Sequence, residues 1–217
     1  MFVFFHVGDD VSWPTRLVGS IRAHNPRAEI VHVTDAATPI VPEVTWTQIL
    51  EVDRDRLMLA RLQAFAEVQT DEPALFLDTD MIVNRPIDIE RALGNHHAAF
   101  CRRTFNREFF FNPRQRGLDF GEYAGKTLDE VYPYVACATI ATQPVWQQLL
   151  ELIETLPDKF WRWYGDQEVM REYAKYHKVG ELAESDYGCL PEFAPGRHPL
   201  ITHYKGNRKH LIGNALV

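Results

Sequence analysis

Two carboxylates stand one residue apart inside an apolar run, Ala74-Leu75-Phe76-Leu77-Asp78-Thr79-Asp80-Met81-Ile82-Val83. Residues i and i+2 of an extended chain point to the same side, so Asp78 and Asp80 can converge on one hard cation if the strand ends near Asp78. Apolar residues on both sides predict a strand buried on both faces, as at the centre of an α/β sheet. An unpaired carboxylate is costly in that setting and needs a metal or a cationic partner. An acidic turn, with Asp78 capping and Asp80 solvated, is the plainer reading of the tripeptide alone, but the flanks Leu-Phe-Leu and Met-Ile-Val leave no polar setting for it. Asn84-Arg85-Pro86 ends the run. The carboxyl edge of an open α/β sheet is where such folds bind ligands.

Other residues offer compatible chemistry. Arg61 sits beside the apolar stripe Leu57, Met58, Leu62, Phe65 and Val68 of a helix predicted from about Asp55 to Gln69. It either meets an anion, a carboxylate of the Asp-x-Asp or a diphosphate, or snorkels to water. Asp166 and Gln167 open another helical pattern behind the aromatic group Phe160 to Tyr164, where Asp166 reads as an N-cap. Near the end of the chain a brief strand enters a cationic, glycine-containing loop with His203, Lys205, Gly206 and Lys209. A lone histidine after a strand is ordinarily a turn residue.

The elements that must position these groups alternate between strand and helix. Phe2 to Val7 reads as a first strand, Ser12 to His24 as a helix with Leu17, Val18 and Ile21 on one stripe, Ile30 to Thr34 as a second strand and Val44 to Ile49 as a third. Ile87 to Leu93 reads as a short helix and Ala98 to Cys101 as a short strand. A buried strand is expected over Tyr134 to Thr142 and an amphipathic helix over Pro144 to Leu156. Between Arg102 and Gly125, five arginines (Arg102, Arg103, Arg107, Arg114, Arg116) are interleaved with phenylalanines. That segment is either a functional loop or a surface excursion whose aromatics fold back on the core. The His96-His97 pair lacks metal-ligand spacing and reads as a loop pair.

With 217 residues and 46% hydrophobic content the chain can bury a full core as one domain. Its apolar start is short, lacks a basic lead and runs into Gly8-Asp9-Asp10, so it reads as a strand and not a signal peptide; no run reaches membrane-span length. A cytoplasmic location is the expectation. Three widely spaced cysteines, Cys101, Cys137 and Cys189, make neither a disulfide framework nor a zinc site. A net charge of −7 argues against a general nucleic-acid binder. No Gly-x-Gly-x-x-Gly follows the first strand and no Walker loop occurs, so a diphosphate must be held otherwise.

Asp78-Thr79-Asp80 resembles the Asp-x-Asp of GT-A nucleotide-sugar glycosyltransferases, which holds a divalent cation on the donor diphosphate. Leu59-Ala60-Arg61 is similar to the donor-contacting Tyr-Ala-Arg of the retaining glycogenin and lipopolysaccharide-galactosyltransferase family. His203, Gly206 and Lys209 reproduce that family's His-x-x-Gly-x-x-Lys. The resemblance implies that His203 completes the metal shell, Gly206 lets the backbone approach the diphosphate and Lys209 neutralises it. It also implies that Asp166-Gln167 faces the transferred sugar. Ala136-Cys137-Ala138 departs from the family's Asn-Ala-Gly, which leaves the donor sugar open. An imidazole beside two carboxylates suits Mn²⁺, whereas Mg²⁺ prefers oxygen donors.

The expectation is therefore a single GT-A domain over 1–217, α/β with a mixed, mostly parallel sheet. Residues 1–83 would form the nucleotide-binding half and 84–217 the acceptor and donor-sugar half. Its metal ligands would be Asp78, Asp80 and His203. The donor, taken as a UDP-sugar, would meet His6, Asp9, Arg61, Asp78, Thr79, Asp80, Gly206 and Lys209, with His6 or Trp13 stacking on the base near Asp9. The catalytic groups would be Asp166, Gln167 and Lys209, acting with retention. The acceptor, whether glycan, protein or small molecule, is left open. Alternatives are a non-catalytic or hydrolytic sugar-nucleotide binder, a nucleotidyltransferase, and a transferase acting on nucleic-acid bases, which only the arginine cluster motivates.

Overall fold

The computed structural model describes residues 1–70 and 72–214. Strand β1 (Phe2–Phe5), helix α1 (Ser12–His24) and strands β2 (Ile30–Thr34) and β3 (Trp46–Ile49) open the chain. Then come α2 (Leu57–Glu67), β4 (Ala74–Leu77), β5 (Met81–Val83), α3 (Ile89–Leu93) and β6 (Ala98–Arg102). The small hairpin β7 (Arg114–Gln115) and β8 (Leu118–Asp119) precedes α4 (Leu128–Val131) and β9 (Tyr134–Ala141). Helices α5 (Gln143–Glu154), α6 (Asp158–Arg162) and α7 (Gly165–Tyr176), strand β10 (Gly180–Ala183), helix α8 (Glu184–Tyr187) and strand β11 (Ile201–His203) follow.

Seven strands form the central sheet in the order β10-β6-β9-β4-β1-β2-β3. Every neighbouring pair is parallel except those of β9, which runs antiparallel to both β4 and β6. This is the mixed, mostly parallel α/β sheet expected from the sequence. Because successive strand residues face opposite sides, Val3, Ala74 and Phe76 lie against Leu62, Phe65, Trp146 and Leu149 of α2 and α5. Phe2, Phe4, Leu75 and Leu77 pack on the other side against Leu17 and Ile21 of α1. Both faces of β1 and β4 are thus covered, which is why those strands read as unbroken apolar runs rather than as alternations.

The apolar run around the two carboxylates is divided. β4 ends at Leu77, and β5 leaves the main sheet to pair antiparallel with β11, placing His203 opposite Met81. Parallel β1 and β4 both finish at one edge of the sheet. Asp78 and His6 follow them directly, and antiparallel β9 starts beside them, with the Asp78 N–H donating to the Cys137 carbonyl at 3.0 Å.

The aromatics of the 102–125 segment fold back only in part. Phe111, Phe120 and Tyr123 pack with Tyr132 and Phe160 in a separate aromatic cluster, while Phe109 and Phe110 are exposed. Arg103 turns inward and is buried.

Candidate active site

A cavity of about 640 Å³ opens at the carboxyl edge of β1 and β4. Its walls include His6, Arg61, Asp78, Thr79, Asp80, Asp166, Gln167, His203, Gly206 and Lys209, together with Trp163, Tyr164, Arg116 and Lys205. Asp9 does not line it; that side chain is exposed. Trp13 also lies outside the lining, beneath the Lys209 ammonium, which stands 4.6 Å from the indole centroid. Near the base of the cavity, the His6 carbonyl accepts from the Thr34 hydroxyl at 2.7 Å, and its Nε2 has no partner among the described residues.

Asp78, Asp80 and His203 offer ligand atoms that all lie within 4.8 Å of one another. His203 Nε2 is 3.2 Å from Asp80 Oδ1 and 3.7 Å from Asp78 Oδ2. The β5–β11 pairing makes this convergence, helped by the Tyr204 N–H donating to the Asp80 carbonyl at 2.8 Å. Two carboxylate oxygens and one imidazole nitrogen are a donor set that fits a divalent cation such as Mn²⁺. Burial opposes a charged His203, but the Cys137 sulfur and the Asp80 carboxylate outweigh it and push the ring pKa up to about 10. Burial likewise disfavours ionised Asp80; the His203 hydrogen bond and the charges of His203 and Lys209 overcome it and hold the carboxyl well below its usual range. Lys209 Nζ stands 3.0 Å from Asp80 Oδ2.

Arg61 meets anions rather than water. Its Nη2 is 2.7 Å from Asp78 Oδ1 and donates to the Ala136 carbonyl at 2.7 Å, and Nη1 is 3.0 Å from Asp166 Oδ2. Burial lowers the guanidinium pKa, yet the two carboxylates leave it raised overall. Asp166, in turn, is pushed up by burial against the pull of Arg61.

The N-cap role expected for Asp166 is corrected by the backbone. The cap is Tyr164, in the left-handed region at φ 64°, and Asp166 lies within the first turn with its Oδ1 accepting from the Gln167 N–H at 2.7 Å. Gly165 permits this start, since a Cβ there would meet the Phe160 carbonyl oxygen at 2.2 Å and Ile153 Cδ1 at 2.5 Å. At Gly206 the backbone conformation, φ +64°, favours glycine, and the space around it is open.

Two further residues whose contacts the sequence did not single out also support the site. Buried Arg103 donates from Nε to the Tyr132 carbonyl at 2.7 Å and from Nη2 to Gln167 Oε1 at 2.8 Å. Fully buried Glu184 accepts from the Thr104 and Phe105 N–H groups at 2.6 and 2.8 Å and pairs with Lys205 at 3.2 Å. One arginine among five, and one glutamate in an acidic turn, carry no local mark of such contacts.

The fold is the GT-A fold of glycosyltransferases, and its sheet edge carries an Asp-Asp-His group able to hold a metal. Among solved structures the chain is similar to the galactosyltransferase LgtC in complex with donor and acceptor sugar analogs, at 15% identity over 100% of this chain and 97% of that one, with a TM-score of 0.54. It is also similar to a glycosyltransferase involved in the glycosylation of the major capsid of PBCV-1, at 13% identity over 99% and 98% of the two chains and a TM-score of 0.63. Against the glycosyltransferase GlyE of Streptococcus pneumoniae TIGR4 the identity is 18% over 95% of this chain and 54% of the other, with a TM-score of 0.54. No protein-family profile matches the sequence, and no curated protein matches it. Among the described residues, no helix is long and apolar enough to cross a membrane.

Proposed function

We propose that this chain is a metal-dependent glycosyltransferase that moves a sugar from a nucleoside diphosphate donor, UDP-linked, to an acceptor hydroxyl with retention of configuration. The observation that carries this reading is the convergence of Asp78, Asp80 and His203 beside Lys209 on one wall of a ligand-sized cavity. Residues 1–83 would supply the nucleotide-binding half, with His6 near the base, and 84–217 the sugar and acceptor half. Asp78, Asp80 and His203 would hold Mn²⁺, which when bound supplies positive charge to the donor diphosphate.

The remaining chemistry belongs to the chain's own side chains. Lys209 and Lys205 stabilise the charge that develops on the departing diphosphate. Arg61 fixes the Asp166 carboxylate, so that it orients the donor sugar through its hydroxyls. Gln167, steadied by Arg103, faces the anomeric carbon and supports an oxocarbenium-like transition state without forming a stable bond. Retention is supported by the state of the carboxylates. Among the described residues only Asp78, Asp80 and Asp166 line the cavity with carboxylates, and each is engaged by a cation. An inverting enzyme needs a carboxylate free to deprotonate the acceptor.

Donor hydrolysis screened over UDP-, GDP-, ADP- and TDP-sugars with Mn²⁺ tests the donor assignment, with UDP-sugars expected to be turned over fastest. The anomeric proton of the transfer product, read by NMR, tests retention; an inverted product reassigns Asp166 as the base. Donor binding with no turnover on any acceptor would leave only a sugar-nucleotide binder.

A further inference from the structure

Four cationic side chains other than His203 line the cavity: Arg61, Arg116, Lys205 and Lys209. Three are neutralised, Arg61 by Asp78 and Asp166, Lys205 by Glu184 and Lys209 by Asp80. Arg116 makes no ion pair and no side-chain hydrogen bond among the described residues. Its guanidinium instead lies 3.9 Å over the centroid of Trp163, on the wall opened by the aromatic pair Trp163 and Tyr164. Stacking on an indole holds a guanidinium in one plane while leaving its N–H edge available.

The backbone around Arg116 adds an independent observation. Arg116 and Gly117 form the two-residue tip of the β7–β8 hairpin, and both have positive φ, 50° and 78°. Such a turn favours asparagine, aspartate or glycine at its first position, so an arginine there is held against local preference. The hairpin tip is exposed, and Arg116 on it lines the cavity.

We infer that Arg116, stacked on Trp163, is a subsite for an oxyanion carried by the acceptor, a carboxylate, phosphate or sulfate on the sugar that receives the transfer. This deepens the proposed function and rests on it for the word acceptor. A planar guanidinium with a free edge takes such a group bidentately. The group is assigned to the acceptor because Arg116 is exposed and pairs with none of the metal-side carboxylates, whereas Arg61 and Lys209 are tied to Asp78, Asp80 and Asp166.

The test uses the whole chain with UDP and diamagnetic Mg²⁺ in place of Mn²⁺, and follows by NMR the indole N–H signal of Trp163, on which Arg116 stacks. Methyl β-glucuronide and glucose 6-phosphate are the anionic probes and methyl β-glucoside the neutral control. The expected result is a saturable shift with at least one anionic probe and none with the neutral one, lost in Arg116→Gln and weakened in Arg116→Lys. No saturable shift with either anion up to about 50 mM, where even weak sites fill, overturns the inference. Calorimetry separates the other possibilities. A tenfold loss of UDP affinity in Arg116→Gln would make Arg116 a diphosphate ligand, and an Arg116-dependent preference for UDP-glucuronate over UDP-glucose would put the anion on the donor; either overturns the inference. Failure of the unaltered chain to bind UDP with Mn²⁺ would instead sink the glycosyltransferase reading, whatever Arg116 does.

Discussion

Arg61 Nη1 and Asp166 Oδ2 lie 3.0 Å apart across the floor of the cavity, and the same guanidinium reaches Asp78 through its other nitrogen. One side chain on α2 thereby ties the end of β4 to the first turn of α7. Removing it leaves two carboxylates facing each other with their counter-charge gone. Arg61→Ala is expected to destabilise the fold by about 3 kcal/mol, the usual cost of breaking a buried pair. A urea titration reads this as a lower midpoint with unchanged slope. Arg61→Lys keeps the charge but loses the fork and should fall between the two. A loss within about 0.5 kcal/mol would mean that Arg61 behaves as a surface residue.

The metal assignment has a direct consequence for donor binding. Calorimetry of UDP with and without Mn²⁺ is expected to show tighter binding with the ion, and Asp80→Ala should lose at least about tenfold of that affinity, roughly 1.4 kcal/mol. His203→Ala should follow the same direction. Unchanged affinity in Asp80→Ala would remove Asp80 from the site.

Lys209 is paired with Asp80 and rests over Trp13, so it is already held at the cavity wall before any donor arrives. If its charge acts mainly on the departing diphosphate, Lys209→Ala should lower kcat by more than it weakens UDP binding. Steady-state kinetics beside calorimetry checks this, and equal losses in both would count against a transition-state role.

His32 gives the fold an acid-sensitive element next to His6. It is fully buried on β2 and stacks on Phe4 at 4.8 Å. Burial lowers its pKa from 6.5 to about 4, which outweighs the raising effect of the His6 carbonyl. Between those two values the unfolded chain binds the proton and the folded chain does not. The stability this neutral ring contributes is therefore complete above pH 6.5 and lost as pH falls towards 4, by about 3 kcal/mol in all. Urea midpoints measured from pH 7.5 to 4 should fall accordingly, and His32→Gln should flatten that limb.

Much of the scaffold was legible because its causes are local. The stripe of Leu17, Val18 and Ile21 marks α1 over Ser12 to His24, and the apolar run before Asp78 marks a strand ending at a sheet edge. The Asp-x-Asp announced itself because charge inside such a run needs a partner within reach. What completes the site depends on pairings between distant segments. His203 reaches Asp80 only because β5 leaves the main sheet and pairs with β11, a choice that no periodicity in Met81 to Val83 encodes. Asp166 reads as a helix cap by residue type, yet the left-handed turn at Tyr164 starts the helix two residues earlier, and that carboxylate meets Arg61. Asp9, next to a strand end, was expected at the donor and points instead to solvent. Within the arginine-rich segment nothing singled out Arg103, and nothing in the sequence marked Glu184. Their partners lie tens of residues away, and only the packed chain decides which charges are brought out of water and must be matched.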